Sequence, residues 1–172
     1  MTRPTLDRID AKILTELQQD ATLPIAVLAD RVGLSTSPCW KRVQKLEKAG
    51  VILGRVAKIN PAKVGLGLMV LVEIEAVDHT PEWRARFLAT VEALPEVMEV
   101  LRLGGPSDYL LRVVVADTIS FDGVYQRLVA GVPLRSVTSK FVMEVAHTKA
   151  ALPIGIVHDT RQDGRASPIL NV

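Results

Sequence analysis

The sequence predicts an α+β protein in two parts. An N-terminal winged helix-turn-helix (residues 1–60) is followed by a hinge (61–67), a C-terminal ferredoxin-like βαββαβ domain (68–150) and a tail (151–172). Three observations carry this reading. Apolar residues between Leu6 and Leu46 recur at three- and four-residue spacing in three short runs, whereas from Leu68 onward β-forming runs alternate with helical ones. The change falls at Pro61-Ala-Lys-Val-Gly-Leu-Gly67, where a proline and two glycines mark a boundary. Beyond it the order strand, helix, strand, strand, helix, strand places both helices on one face of a sheet.

Leu6, Ile9, Ile13, Leu14 and Leu17 define a first helix over 6–19, with Thr5 as N-cap and Asp7 in the first turn. Asp20-Ala-Thr22 ends it. Pro24 suits the first turn of a second helix whose stripe is Leu28 and Val32 and whose end is Gly33. Ser35, Thr36 or Ser37 caps a third helix, with Pro38 near its first turn and Gly50 at its close. The alternating stretch Val51 to Pro61, carrying Arg55 and Lys58, fits a short strand pair, the wing.

In the second part, strands are expected at 68–77, 97–103, 108–116 and 137–146, and helices at 81–94 and 120–129. A sheet covered on one face alternates cleanly between apolar and polar residues. Here Leu68, Val70, Val72 and Ile74 face one way, yet Met69 and Leu71 face the other; Leu110, Val114 and Ala116 repeat this on the third strand. The uncovered face is therefore expected to meet another subunit, burying on the order of 800 Å² per partner in a symmetric dimer. The polar stretch from Ala151 reads as a tail, mobile at least beyond His158.

Composition narrows the function. Hydrophobic residues make up 48% of the 172 residues with 4% aromatics, an excess that needs burial, and no run of about 18 apolar residues exists to span a membrane. Oligomerisation is the expected sink. With one cysteine and an N-terminus lacking an apolar signal core, a cytoplasmic location is expected. Net charge is only +2, but residues 1–60 hold 10 Lys+Arg against 6 Asp+Glu while residues 61–172 hold 11 against 13. The positive charge gathers where a nucleic acid would be met.

At 100° per residue, Cys39, Val43 and Leu46 fall within about 60° of one another and form the core face of the third helix. Ser37, Lys41, Gln44, Lys45 and Lys48 cluster opposite, with donors of the kind that reach phosphates and base edges. The expected DNA-binding set is therefore Ser35, Thr36, Ser37, Lys41, Arg42, Gln44, Lys45 and Lys48, with Arg55 and Lys58 on flanking phosphates. Arg42 lies on the flank, where it serves either structure or a phosphate. Trp40 sits between faces and is expected to pack against the first helix. Cys39 groups with the core and reads as an inert small hydrophobe.

Nothing in the chain points to catalysis. His79, His147 and His158 lack metal-ligand spacing, and neither a Gly-rich phosphate loop nor a nucleophile elbow is present. No cofactor or metal is expected. The one distinctive loop is Leu103-Gly-Gly-Pro-Ser-Asp-Tyr109, where glycines permit close approach, Asp108 could hold an ammonium group and free N–H groups a carboxylate; an ordinary strand connection is the alternative.

Taken together, Leu6-Asp-Arg-Ile-Asp-Ala-Lys-Ile-Leu14, Leu28-Ala-Asp-Arg-Val-Gly-Leu-Ser35, Ser37-Pro-Cys-Trp-Lys-Arg-Val-Gln-Lys-Leu-Glu47 and Gly104-Gly-Pro-Ser-Asp-Tyr-Leu110 resemble the Lrp/AsnC family of leucine- and asparagine-responsive transcription regulators over residues 5–154. Pro38–Arg42, Gly65–Leu68 and Leu152-Pro-Ile154 are similar to the branch with a cysteine-responsive regulator. The resemblance implies a regulator of double-stranded DNA whose C-terminal domain senses an amino-acid effector. It also implies homodimers assembling further, often to octamers, with the effector near Leu103, Gly104, Gly105, Ser107, Asp108 and Tyr109, helped by Thr138 and Ser139. Family members often carry an acidic residue where Pro106 stands, and Pro133-Leu-Arg-Ser136 lacks the family's glycine. The rival reading is an oligomeric small-molecule-binding enzyme or sensor of ferredoxin-like fold.

Overall fold

The computed structural model describes residues 4–154. They form two compact units, one of residues 4–57 with 147–154 and one of residues 58–146. The segment set apart as a tail thus contributes its first residues to the N-terminal unit, and the rest of it, including the stretch beyond His158, lies outside the described residues.

The N-terminal unit is built on α1 (Arg8–Gln19), α2 (Ile25–Val32) and α3 (Thr36–Lys48). Asp7, rather than Thr5, starts α1, because its carboxylate accepts from the Ile9 and Asp10 N–H groups while Asp10 returns a carboxylate to the Asp7 N–H, a reciprocal box that Thr5 is too far away to form. Gly33 closes α2 at φ +75°, a left-handed turn natural to glycine, and the N–H of Leu34 reaches back to the Ala29 carbonyl at 2.8 Å. That turn sets α3 across α2. Ile13, Leu14, Leu28, Ala29, Val32, Cys39, Val43 and Leu46 form the buried core, with Val51, Ile52 and Ile154 packed at its edge. Ile154 is brought there by a reciprocal tie between the Gln18 side chain and the Leu152 backbone, at 2.6 and 3.4 Å.

Among the described residues no strand is assigned over 51–60: Val51 and Ile52 pack at the edge of the helical core and residues 53–60 are exposed. A 3-10 turn, Pro61–Val64, follows.

The second unit runs β1 (Leu68–Ala76), α4 (Pro81–Glu92), β2 (Val97–Arg102), β3 (Tyr109–Val115), α5 (Thr118–Gly131) and β4 (Leu134–Phe141). The sheet order is β2-β3-β1-β4 with every neighbouring pair antiparallel, the expected ferredoxin-like arrangement. Of the departures from the expected ranges, those at α5 and β4 are the largest. α5 begins at Thr118 because Asp117 caps it, and β4 covers 134–141, paired with β1 from Ala76↔Leu134 to Val70↔Phe141. Both helices cover one face. Val70, Val72, Ile74 and Ala76 of β1 with Tyr109, Leu111, Val113 and Val115 of β3 meet Trp83, Phe87 and Val91 of α4 and Phe121, Val124 and Leu128 of α5. Gly131 sits where a Cβ would come within 2.3 Å of the Thr90 methyl, so α4 and α5 close up only because that position carries no side chain.

The opposite face holds Met69, Leu71, Leu110 and Val114, together with the ion pairs Arg112–Glu99 (3.1 Å) and Lys140–Glu73. Its two central strands mix apolar and charged residues, with Leu71 opposite Arg112 and Glu73 opposite Leu110.

Candidate DNA-binding face and effector loop

α3 divides around its circumference as its periodicity predicts. Cys39, Val43 and Leu46 are buried, and burial pushes the Cys39 thiol up, away from the reactive thiolate. Ser37, Lys41, Lys45 and Lys48 are exposed and Gln44 half-buried, and none of them has a side-chain hydrogen bond or ion pair among the described residues. Ser35 is the N-cap residue of α3, but its side chain makes no cap bond, and Thr36 and Ser37 follow it exposed. The first turn of α3 therefore presents backbone N–H groups and hydroxyls outward, the arrangement that accepts a phosphate at a helix N-terminus.

Arg42 is placed differently. Its guanidinium donates to the Asp10 carboxylate at 2.8 Å and to Asp7, so it ties α3 to the start of α1. Asp10 is 2% exposed, the one buried charge among the described residues, and Arg42 is its counter-ion. Burial alone would raise the Asp7 carboxyl, but the Asp10 N–H and the Arg42 guanidinium outweigh it and hold Asp7 below its ordinary value; the same contacts raise Arg42. Sequence reasoning placed Arg42 on the flank without a partner because Asp7 and Asp10 lie more than 30 positions away. Arg55 makes a long contact with Glu47 at 3.5 Å, and Lys58 is exposed, without a side-chain partner among the described residues.

Trp40 corrects the sequence reading. It is 47% exposed and takes no part in the helical core, so it does not pack against α1 as expected.

In the second unit, the 103–108 loop joins the end of β2 to β3 at the middle of the sheet. Gly105 has φ +155°, and Leu103, Gly104 and Gly105 are exposed. Asp108 is fixed rather than open. Its N–H donates to the Ile74 carbonyl at 2.8 Å, and one carboxylate oxygen accepts from the Ala76 N–H at 2.8 Å, where β1 runs past the end of β3. The other oxygen faces the His79 imidazole at 3.7 Å, a neighbour that the sequence did not signal because it comes from the β1–α4 connection. Ser107 is half-buried beside it.

Tyr109 belongs to the core instead of the loop. It is 6% exposed, with its ring 4.5 Å from Phe87 and 6.1 Å from Trp83, because strand alternation turns it to the helix-covered face. Ser139 and Thr138 point to opposite faces of β4: Ser139 pairs with Val72 on the helix side, and Thr138 pairs with Glu73 on the open side. Only Thr138 shares the open face with Leu110 and Glu73, and it stands two strand spacings, on the order of 10 Å, from the loop's strand.

Residues 6–52 match the winged helix-turn-helix DNA-binding family and residues 69–151 match the Lrp/AsnC ligand binding domain. The DNA-binding transcriptional activator DecR of Escherichia coli (strain K12) is 48% identical over 150 residues, spanning 87% of this chain and 99% of the relative. The Glutamate uptake regulatory protein of Zymomonas mobilis is 43% identical over 149 residues, spanning 87% and 91%. Among solved structures, an AsnC family transcriptional regulator from Agrobacterium tumefaciens superposes with a TM-score of 0.84 at 47% identity, covering 88% of this chain and 99% of that one. A transcriptional regulator from Neisseria meningitidis, solved as a complex with L-Met, superposes with a TM-score of 0.83 at 33% identity, covering 89% and 99%. These relatives are named regulators, and none is named an enzyme.

Proposed function

Because this chain belongs to the Lrp/AsnC family of DNA-binding transcription regulators and carries that family's ligand-binding domain, we propose that α3 enters the major groove and that an amino acid bound at the second domain governs it. Support comes chiefly from one observation: the three lysines of α3 and Gln44 have no side-chain partner among the described residues, while Arg42 is already engaged. In this reading Ser37, Lys41, Gln44 and Lys45 address base edges and nearby phosphates. Ser35, Thr36 and Lys48 add phosphate contacts, and Arg55 and Lys58 touch the flanks. Arg42 acts as a brace.

The open sheet face pairs with a second copy through Met69, Leu71, Leu110 and Val114, giving a two-headed dimer that assembles further, to octamers by the family pattern. Half-sites then lie about one helical turn apart or a multiple of it. The effector sits by Leu103 to Asp108 and Thr138, with its ammonium group on the Asp108 oxygen that faces His79. Cysteine is the amino acid favoured by the branch-like motifs of this chain, and methionine is the rival, since the Neisseria neighbour was solved with L-Met. As a regulator acting on bacterial DNA, the protein works in the cytoplasm.

The test is binding to a library of genomic fragments across a salt series. Selective retention of a few fragments is expected, and with roughly four phosphates neutralised per head log affinity falls with log salt at about −3.6 per head. Retention without sequence preference, or without salt dependence, would sink the reading. A thermal-shift screen of the twenty amino acids identifies the effector, because binding raises stability with ligand concentration over affinity.

A further inference from the structure

We propose that Trp40 reads a thymine, its indole ring lying on the 5-methyl group in the major groove; the proposal rests on α3 being the recognition helix. The two tryptophans of this chain show the contrast. Trp83 is 6% exposed, stacks on Phe87 at 5.1 Å and donates its Nε1–H to the Pro133 carbonyl at 2.7 Å, satisfying both its apolar body and its polar handle. Trp40 has neither. It is 47% exposed, and its Nε1–H has no partner among the described residues. A large apolar ring left in water on an otherwise polar face marks a contact surface.

Its position names the partner. At 3.6 residues per turn, Trp40 lies about 40° from Gln44 and about 60° from Ser37, on the border of the outward sector next to Gln44. Long helical side chains lean back toward the N-terminus, so the indole covers the first turn of α3, and the N-terminal residues of a recognition helix are those that meet base edges. An indole cannot make the bidentate pairs that read guanine or adenine. Thymine presents a methyl beside the O4 acceptor in the major groove, which matches an apolar ring carrying one N–H donor. Lys41 and Lys45, exposed farther round the same helix beyond Gln44, supply the charge that holds the duplex there.

The experiment uses the full-length protein and an operator chosen from the genomic selection, with each thymine replaced in turn by deoxyuridine, which removes only the methyl. Wild type should lose about fourfold in affinity at one or two half-site positions, the value of one buried methyl-sized group. Trp40→Ala should bind more weakly and no longer distinguish thymine from uracil there, whereas Trp40→Phe should keep the distinction. The proposal fails if wild type is indifferent to uracil at every position, if Trp40→Ala retains the same thymine preference, or if Trp40→Ala weakens all DNA equally. Absence of any selective binding by wild type would instead overturn the proposed function itself. Should Trp40→Ala fold poorly by circular dichroism, the uracil scan on wild type and Trp40→Phe decides alone.

Discussion

On α3 three lysines stand exposed without a partner among the described residues, whereas in the 103–108 loop the Asp108 carboxylate is already bonded to the Ala76 N–H of the strand beside it. The DNA face can engage phosphate without first breaking anything. The loop can offer an effector only the Asp108 oxygen that faces His79, and any ligand that takes more of the carboxylate must disturb the end of β1. A ligand there is thereby coupled to sheet geometry, while a ligand on α3 is not. Within the N-terminal unit the same contrast recurs between Lys45, which is free, and Arg42, which is spent on Asp10.

The largest test of this contrast is Arg42→Met. It strands the buried Asp10 carboxylate and should cost about 2 kcal/mol of stability, a value already reduced for the partial exposure of Arg42. The salt slope of DNA binding should be unchanged by that substitution. A slope shallower by about 0.9 would show that Arg42 holds a phosphate after all.

Next is Asp108→Ala, which leaves the Ala76 N–H without its acceptor and should cost about 1.5 kcal/mol by denaturant unfolding while abolishing the amino-acid response. Asp108→Asn keeps an acceptor in place, so it should recover the stability and still lose the response. If Asp108→Asn responds normally, the carboxylate is a purely structural group.

Lys45→Ala should leave stability and oligomeric state unaltered and flatten the salt slope by about 0.9. Dissociation of the oligomer, read by light scattering, would place Lys45 on an interface instead.

The smallest effect is on acid stability, and both units should share it. Asp7 in the first unit and Glu96 in the second each suffer a desolvation that would raise them. Hydrogen bonds, chiefly from the Asp10 N–H to Asp7 and from Arg127 to Glu96, more than offset this and hold both below their ordinary values. A depressed carboxylate contributes stability that is complete above its unfolded pKa and is lost as pH falls through the folded one. Stability should therefore hold from neutrality to about pH 4 and decline below it. Replacing Asp7 by Asn should flatten the decline at the head, followed by α-helical circular dichroism.

The helix faces and the strand order were legible because periodicity survives in a single sequence: Cys39, Val43 and Leu46 are buried as their spacing requires, and Tyr109 could have been given to the core by the same alternation with Leu111 and Val113. What was illegible is pairing at a distance. Nothing near Arg42 announces Asp10, nothing near Asp108 announces the Ala76 N–H or His79, and nothing near Val51 and Ile52 announces that they pack at the edge of the helical core. Trp40 was misread for a different reason: at the border of two sectors, angle alone does not decide exposure. The spacing of Asp7 and Asp10, by contrast, is a local capping box that could have been read from the sequence, and choosing Thr5 as the cap passed over it.

The tie between Gln18 and Leu152, with Ile154 against the helical core, gives the DNA-binding unit a discontinuous blueprint. Its parts come from both sides of the sensing domain in the chain. An engineer grafting this head onto a different sensor by cutting once, after residue 60, would discard a piece of the head along with the sensor. A chimera that carries 152–154 as well as the three helices should hold its core intact, so the exchangeable cassette in this protein is the sensing domain, lifted out between two cuts.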